Sequence, residues 1–251
     1  MHIPTLQTLC FALSGLQLAV AQLLASPPTA QNAAAPRISG PYPTRELAGV
    51  TIVDTPVVRD AEAYARLHSS DWLYGHVMRS LLFGALLLRH TATLAAAVDV
   101  ETHAVAALLH DLGWARDGSS FVSADRRFEV DGAIAAREFL ADRPGWNEAE
   151  SPGRIQLVWD AIALHTERSI AYYKEPTVQA VSRGIAMDFA GPSMGVTEAE
   201  YAAVVEAFPK EGLKDGVNGT FLWLCQTKPA TTYGVFETPS TPPLFLDTQV
   251  I

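Results

Sequence analysis

The chain has 251 residues, 49% hydrophobic and 18% charged, so a sizeable core is available and global disorder is excluded. Lys and Arg number 18 against 27 Asp and Glu, a formal net charge of −9, which argues against nucleic acid or an anionic membrane as the main partner. Cys10 and Cys225 are the only cysteines, too few for a zinc knuckle or a disulfide framework, so any metal must be held by His and carboxylate side chains.

Residues 1–21 read as a secretory signal peptide. Leu9 to Ala21 is an apolar run, and Ala19-Val20-Ala21 is an A-x-A cleavage signal, although no Lys or Arg stands near Met1. The expected location is therefore secreted, with no membrane association once the leader is removed; the alternative is a cytoplasmic chain. Residues 22–58 read as a linker or arm rich in Pro, Ala, Ser and Thr, with a short extended piece over Val50 to Val53 and no clear hairpin.

From Asp60 onward the pattern is helical. Residues 60–68 form a short candidate helix. Ser70 or Asp71 is placed to cap a longer one through about Thr91, with Leu73, Val77, Leu81, Leu82, Ala85 and Leu88 on one face. Further helices are expected over 99–112, 128–141, 153–168, 176–190, from Thr197 to about Phe208, and near 218–227. Thr197-Glu-Ala-Glu200 is a capping-box signature. Residues 229–251 are expected to be irregular. The class is all-α, a single helical bundle behind an extended N-terminal leader. Asn218-Gly-Thr220 is a glycosylation sequon, meaningful only in a secreted chain with the site exposed.

The chemistry concentrates around Ala104-Val-Ala-Ala-Leu-Leu-His-Asp-Leu-Gly113. A helix apolar on most sides is usually buried, and the polar pair His110-Asp111 at its end then needs partners. A metal ion is one partner; an ordinary helix C-terminus with His110 placed for the dipole is the other reading. Gly113 is expected just past the helix end in a left-handed conformation. His76 lies mid-helix, and Asp188 lies within the apolar run Gly184-Ile-Ala-Met-Asp-Phe-Ala190. Two imidazoles and two carboxylates form a nitrogen and oxygen donor set suited to Zn, Fe or Mn.

The ordered pattern His76, His110-Asp111, Asp188 resembles the metal-dependent HD-domain superfamily, most closely its cyanamide-hydratase-like fungal branch. Matching stretches are Tyr74-Gly-His-Val-Met-Arg-Ser80, Leu108-Leu-His-Asp-Leu-Gly113, Arg127-Phe-Glu-Val-Asp-Gly-Ala133, Ile162-Ala-Leu-His-Thr166 and Ile185-Ala-Met-Asp188. The resemblance implies an HD domain over 59–228 and one divalent ion, zinc or alternatively iron, bound by His76, His110, Asp111 and Asp188. It implies water addition to a small nitrile-type substrate, cyanamide to urea. The alternative is an HD phosphohydrolase acting on a nucleotide or phosphomonoester, with Arg79, Arg116, Arg126 and Arg127 as its phosphate-binding candidates. Trp114 stands where many HD proteins carry a lysine, which argues against phosphate handling at that position.

Three further residues are site candidates. His165 either contacts the substrate and relays a proton or is a core histidine. Glu129 either orients a ligand or caps a helix. Asp117 is either a general acid/base or a solvated loop carboxylate. Trp114, Phe121 and Phe128 are candidates for the wall of a small apolar pocket, or plain core. His103 lies two turns before His110, about 10 Å away, too far to share an ion with it. The expected partner is a small molecule, and homo-oligomerisation is left open.

Overall fold

The computed structural model describes residues 42–232 apart from 148 and 150. The expected leader at 1–21, much of the arm and most of the C-terminal tail lie outside the described residues. Within them the chain is helical, with one small sheet.

That sheet is an antiparallel hairpin of β1 (Thr44–Leu47) and β2 (Val50–Val53), inside the stretch expected as an arm. Its two-residue turn is Ala48-Gly49, both with positive φ, 52° and 74°. Two left-handed residues match the twist of a tight hairpin. Ala rather than Asn or Asp at the first position removed the usual turn signal. Val50, Ile52 and Val53 then bury into the core.

The helices follow in order. α1 (Pro56–Leu67) starts with proline in its first turn, where a missing N–H costs nothing. α2 (Asp71–His90) is buried on nearly every face, from Leu73 to Leu88. Ser70 occupies its N-cap position without a side-chain bond. α3 (Ala92–Ala95) is a single turn. α4 (Val100–Leu109) opens on Asp99, which accepts from the N–H groups of Glu101 and Thr102, both at 3.0 Å. Its residues from Glu101 onward are all buried. A 3₁₀ turn (Leu112–Trp114) and α5 (Phe128–Ala141) come next, then α6 (Arg154–Ala163), α7 (Arg168–Ala171) and α8 (Pro176–Ala190). The helix expected over 153–168 thus stops five residues short, before His165 and Thr166. α9 (Glu198–Ala207) carries both hydrogen bonds of the capping box between Thr197 and Glu200. α10 (Leu213–Thr227) begins earlier than expected, and α11 (Pro229–Thr232) puts one helical turn where irregular chain was expected.

α2 and α8 pack most extensively of any pair. They cross at Gly84 and Gly184: a Cβ on Gly184 would lie 2.9 Å from Gly84 Cα and from Ser80 O. Two glycines allow the axes to approach more closely than side chains would permit, and that approach brings His76 on α2 beside Asp188 on α8.

Gly113 is used differently from the expectation. It is not among the positive-φ residues. A Cβ there would lie 1.9 Å from Phe128 O, so the turn after His110-Asp111 needs glycine for close approach to α5. Gly132 repeats this on the next turn of α5, 3.1 Å from His110 O by the same measure. The Phe-Glu-Val-Asp-Gly element is therefore the seat on which the His110–Gly113 turn rests.

Candidate metal centre

Three side chains converge in the core. His76 comes from the second turn of α2, and His110 and Asp111 from the end of α4. Each offers one donor atom, and these atoms lie within 4.8 Å of one another. His76 Nε2 and His110 Nε2 are 3.2 Å apart. Asp111 Oδ2 is 3.2 Å from His110 Nε2 and 3.6 Å from His76 Nε2. His165, just beyond α6, brings its Nε2 to 3.6 Å from Asp111 Oδ1. All four residues are buried.

The far side of each imidazole is fixed. His110 Nδ1 donates to Ala107 O at 2.8 Å, and His165 Nδ1 to Ile162 O at 2.7 Å. His76 Nδ1 donates to Asp188 Oδ2 at 2.6 Å. Carbonyl and carboxylate oxygens only accept, so Nδ1 carries the proton in each ring and each neutral ring offers a lone pair at Nε2. His165 is further held by its own carbonyl, which accepts from Ser182 Oγ on α8 at 2.9 Å.

This donor set fits a divalent ion. Two imidazole lone pairs facing each other at 3.2 Å repel unless a cation lies between them. Both Asp111 oxygens are buried without a hydrogen-bond partner, an arrangement costly in a native core. Tetrahedral donors at zinc distances stand about 3.3 Å apart. His76, His110 and Asp111 would hold the ion, with His165 alongside.

Electrostatics follow from this crowding. Burial opposes the Asp111 charge, yet the His110, His76 and His165 imidazoles bring its carboxyl down to about 2. Burial pulls His110 down, but the Asp111 carboxylate, the Ala107 carbonyl and the Asp188 charge together outweigh it and the net shift is upward. Burial and the neighbouring His110 push His165 down to about 4, so it is neutral at pH 7.

Asp188 stands elsewhere than a shared ligand position. It lies behind His76, on Nδ1 rather than Nε2, and Arg79 grips both its oxygens at 2.7 and 2.8 Å. Burial disfavours its charge, but His76 and Arg79 hold its carboxyl well below the usual carboxylate range. The expected fourth ligand thus orients His76, because its oxygens face the ring's other nitrogen.

Glu129 is buried but outside the pocket wall. It accepts from Thr166 Oγ1 at 2.6 Å and from Arg127. Asp117 is not brought to the centre at all. It lies on the loop after the 3₁₀ turn, bonded to His68 Nδ1 at 2.5 Å and to Ser119. Phe121 also stays outside, edge-on to His68 at 5.2 Å. Phe128 packs beneath Trp114, at 5.2 Å between ring centroids.

A cavity of about 50 Å³ opens at the centre. His76, Asp111, His165, Thr166 and Arg168 supply its polar side. Trp114, Ile185, Ala186, Phe189, Val217 and Phe221 supply an apolar one. Thr166, Arg168, Phe189, Val217 and Phe221 were not singled out by residue type, because helix surface and pocket wall look alike in sequence. Of the expected phosphate binders, Arg79 is taken by Asp188 and by the Phe208 and Pro209 carbonyls. Arg116 donates to Thr220, Arg126 to Asp131, and Arg127 to Glu129. The sequon is also placed: Thr220 is 1% exposed, mid-α10, and bonded to Arg116, so it is not presented on an exposed loop.

The described chain is a helical domain with a buried His, His, Asp cluster, at the meeting of two helices, that could hold a metal ion. Residues 73–193 match the family model of the HD domain, which supports placing the chain in the HD superfamily. That segment spans His76, His110, Asp111 and Asp188. No curated protein matches the chain.

Proposed function

We propose that the protein is a hydratase of small, uncharged nitrile-type molecules, close in chemistry to cyanamide hydration to urea. The observation that carries this reading is the pocket itself. A water-sized atom needs about 10–15 Å³ of such space, so the cavity of about 50 Å³ holds roughly four of them. Cyanamide is of that size; a nucleotide is far larger.

Charge points the same way. Phosphoryl oxygens require several cationic donors. Arg168 is the single arginine lining the cavity among the described residues, and it is exposed to solvent. The other arginines near the centre are engaged by carboxylates, carbonyls or a hydroxyl.

A divalent ion held by His76, His110 and Asp111 would supply Lewis-acid charge and make water acidic enough to ionise near neutral pH. The chain's own residues supply the rest. Asp188 fixes the His76 ring, and the Ala107 and Ile162 carbonyls fix His110 and His165. His165 Nε2 is an acceptor at pH 7, placed to take a proton from water and return it to the substrate nitrogen. Thr166 Oγ1 donates to Glu129 and accepts from Arg127 at 3.4 Å, leaving one lone pair to accept from a substrate N–H. The apolar wall of Trp114, Ile185 and Phe189 excludes bulk water.

Arg168 favours one second reading, a phosphohydrolase of small phosphomonoesters. Parallel assays separate the two. Zinc-loaded protein is expected to release urea from cyanamide and no phosphate from p-nitrophenyl phosphate or a nucleotide, with the urea activity lost in His110→Ala. Phosphate release without urea formation would overturn the hydratase reading.

A further inference from the structure

The roof of the metal cavity is supplied from outside the matched HD segment. Val217 and Phe221 line the cavity, and both lie on α10, beyond residue 193. α10 does not join the main core. Leu213, Val217 and Leu224 form a separate apolar cluster with Leu73, Trp114 and Phe128.

Three close fits set the height of this roof. A Cβ on Gly216 would lie 2.2 Å from Trp72 Cε2, so α10 sits directly on the indole. Arg116 donates to Thr220 Oγ1 at 2.9 Å and lies 5.0 Å over the Trp223 ring, tying the helix to the loop after the metal pair. Phe221 meets Trp114 edge-on at 5.9 Å between centroids. Lys228, just past the helix, is buried against Asp131 on α5. The roof is therefore anchored at both ends and in the middle.

We infer that Phe221 and Val217 are the size-selecting residues of the site. Neither is one of the donor residues. They supply the α10 part of the apolar side of a cavity of about 50 Å³. A ligand with a bulky substituent on its polar head meets the Phe221 ring before its head reaches the donors. Truncating the ring opens space on the roof side and leaves the donor set in place. The inference deepens the proposed hydration only in its choice of substrate; the exclusion itself concerns any ligand entering from that side.

The test uses full-length protein loaded with cobalt(II), as wild type, Phe221→Ala and Val217→Ala. Metal content is measured first and is expected to be equal in all three. Azide and 4-phenylimidazole are then titrated against the visible absorption of the bound cobalt. Azide is expected to bind all three alike. 4-Phenylimidazole is expected to bind Phe221→Ala at least about tenfold more tightly than wild type, the scale at which pocket walls discriminate, with Val217→Ala between them. In the substrate arm, the preference for cyanamide over benzonitrile, as a ratio of kcat/KM, is expected to fall about tenfold in Phe221→Ala. Equal 4-phenylimidazole affinity in wild type and both variants overturns the inference, whatever the turnover. Absence of cyanamide turnover in wild type, with the ligand result intact, removes the hydration reading and leaves the size-selecting role standing. Failure of wild type to take up cobalt overturns both.

Discussion

Asp188 accepts the Nδ1 proton of His76 at 2.6 Å while Arg79 holds its two oxygens from the other side. The pair spans α2 and α8 at the point where Gly84 and Gly184 let the helices close on each other. It decides which nitrogen of His76 faces the cluster. Such carboxylate–histidine contacts orient a ligand and raise its basicity.

Asp188→Asn is therefore expected to lower zinc affinity by about 10–100-fold while the fold survives. Asp188→Leu leaves the Arg79 guanidinium buried without its carboxylate and is expected to cost about 3–5 kcal/mol of stability. Competition with a chromophoric chelator reads the first, and urea denaturation the second. Unchanged zinc affinity in Asp188→Asn would contradict the orienting role.

One contribution to the pH dependence of stability comes from His103, away from the centre. His103 is buried between α4 and α2, its Nε2 has no hydrogen-bond partner, and burial pushes its imidazole down to about 4. In the unfolded chain it titrates near 6.5. The unfolded state therefore takes up the proton first, and stability is lost as pH falls from about 6.5 to about 4. The loss is on the order of 3 kcal/mol from this group, at about 1.4 kcal/mol per pH unit. His103→Leu is expected to flatten the stability curve across that window. Denaturation midpoints of wild type and variant between pH 7 and pH 4 check this; parallel curves would contradict it.

Gly113 tests the seat of the metal turn. A Cβ there would meet the Phe128 carbonyl at 1.9 Å, a backbone atom that cannot swing aside. Gly113→Ala is expected to cost about 1–3 kcal/mol or more. It should also weaken metal binding, because the strain falls two residues from Asp111. Gly118→Ala is the control for backbone strain alone: its φ is +84°, unlike that of Gly113, and nothing lies near its Cβ. Thermal unfolding and zinc titration of both variants separate the two costs. Full zinc affinity in Gly113→Ala would show that the turn does not depend on this contact.

Much of the framework was legible in residue order. The apolar run from Ala104 to Leu109, the period of three and four in α2 and the Thr197–Glu200 box each state a helix directly, and the structure has all three. The pairing of His76 with His110-Asp111 was legible as a donor set because few buried positions tolerate such groups. Asp188 was legible as part of the site but not in its role, since sequence does not say which nitrogen a carboxylate faces. The hairpin was missed because Ala48 adopts a conformation usually left to Asn, Asp or Gly. Gly113 was read as a helix stop because close approach to Phe128 comes from a helix 15 residues later. Asp117 was drawn toward the site by its closeness in sequence to Asp111, whereas the loop turns it toward His68.

The central claim is that His76, His110 and Asp111 share one divalent ion. The most direct measurement is metal content by mass spectrometry on wild type, His110→Ala and Asp111→Ala purified in parallel, with the melting temperature recorded before and after chelation. Wild type is expected to carry close to one equivalent and to melt lower once the metal is removed, and the two variants to carry little and to show no chelation effect. Metal content that is the same in all three proteins, or a wild-type melting temperature indifferent to chelation, would contradict the claim.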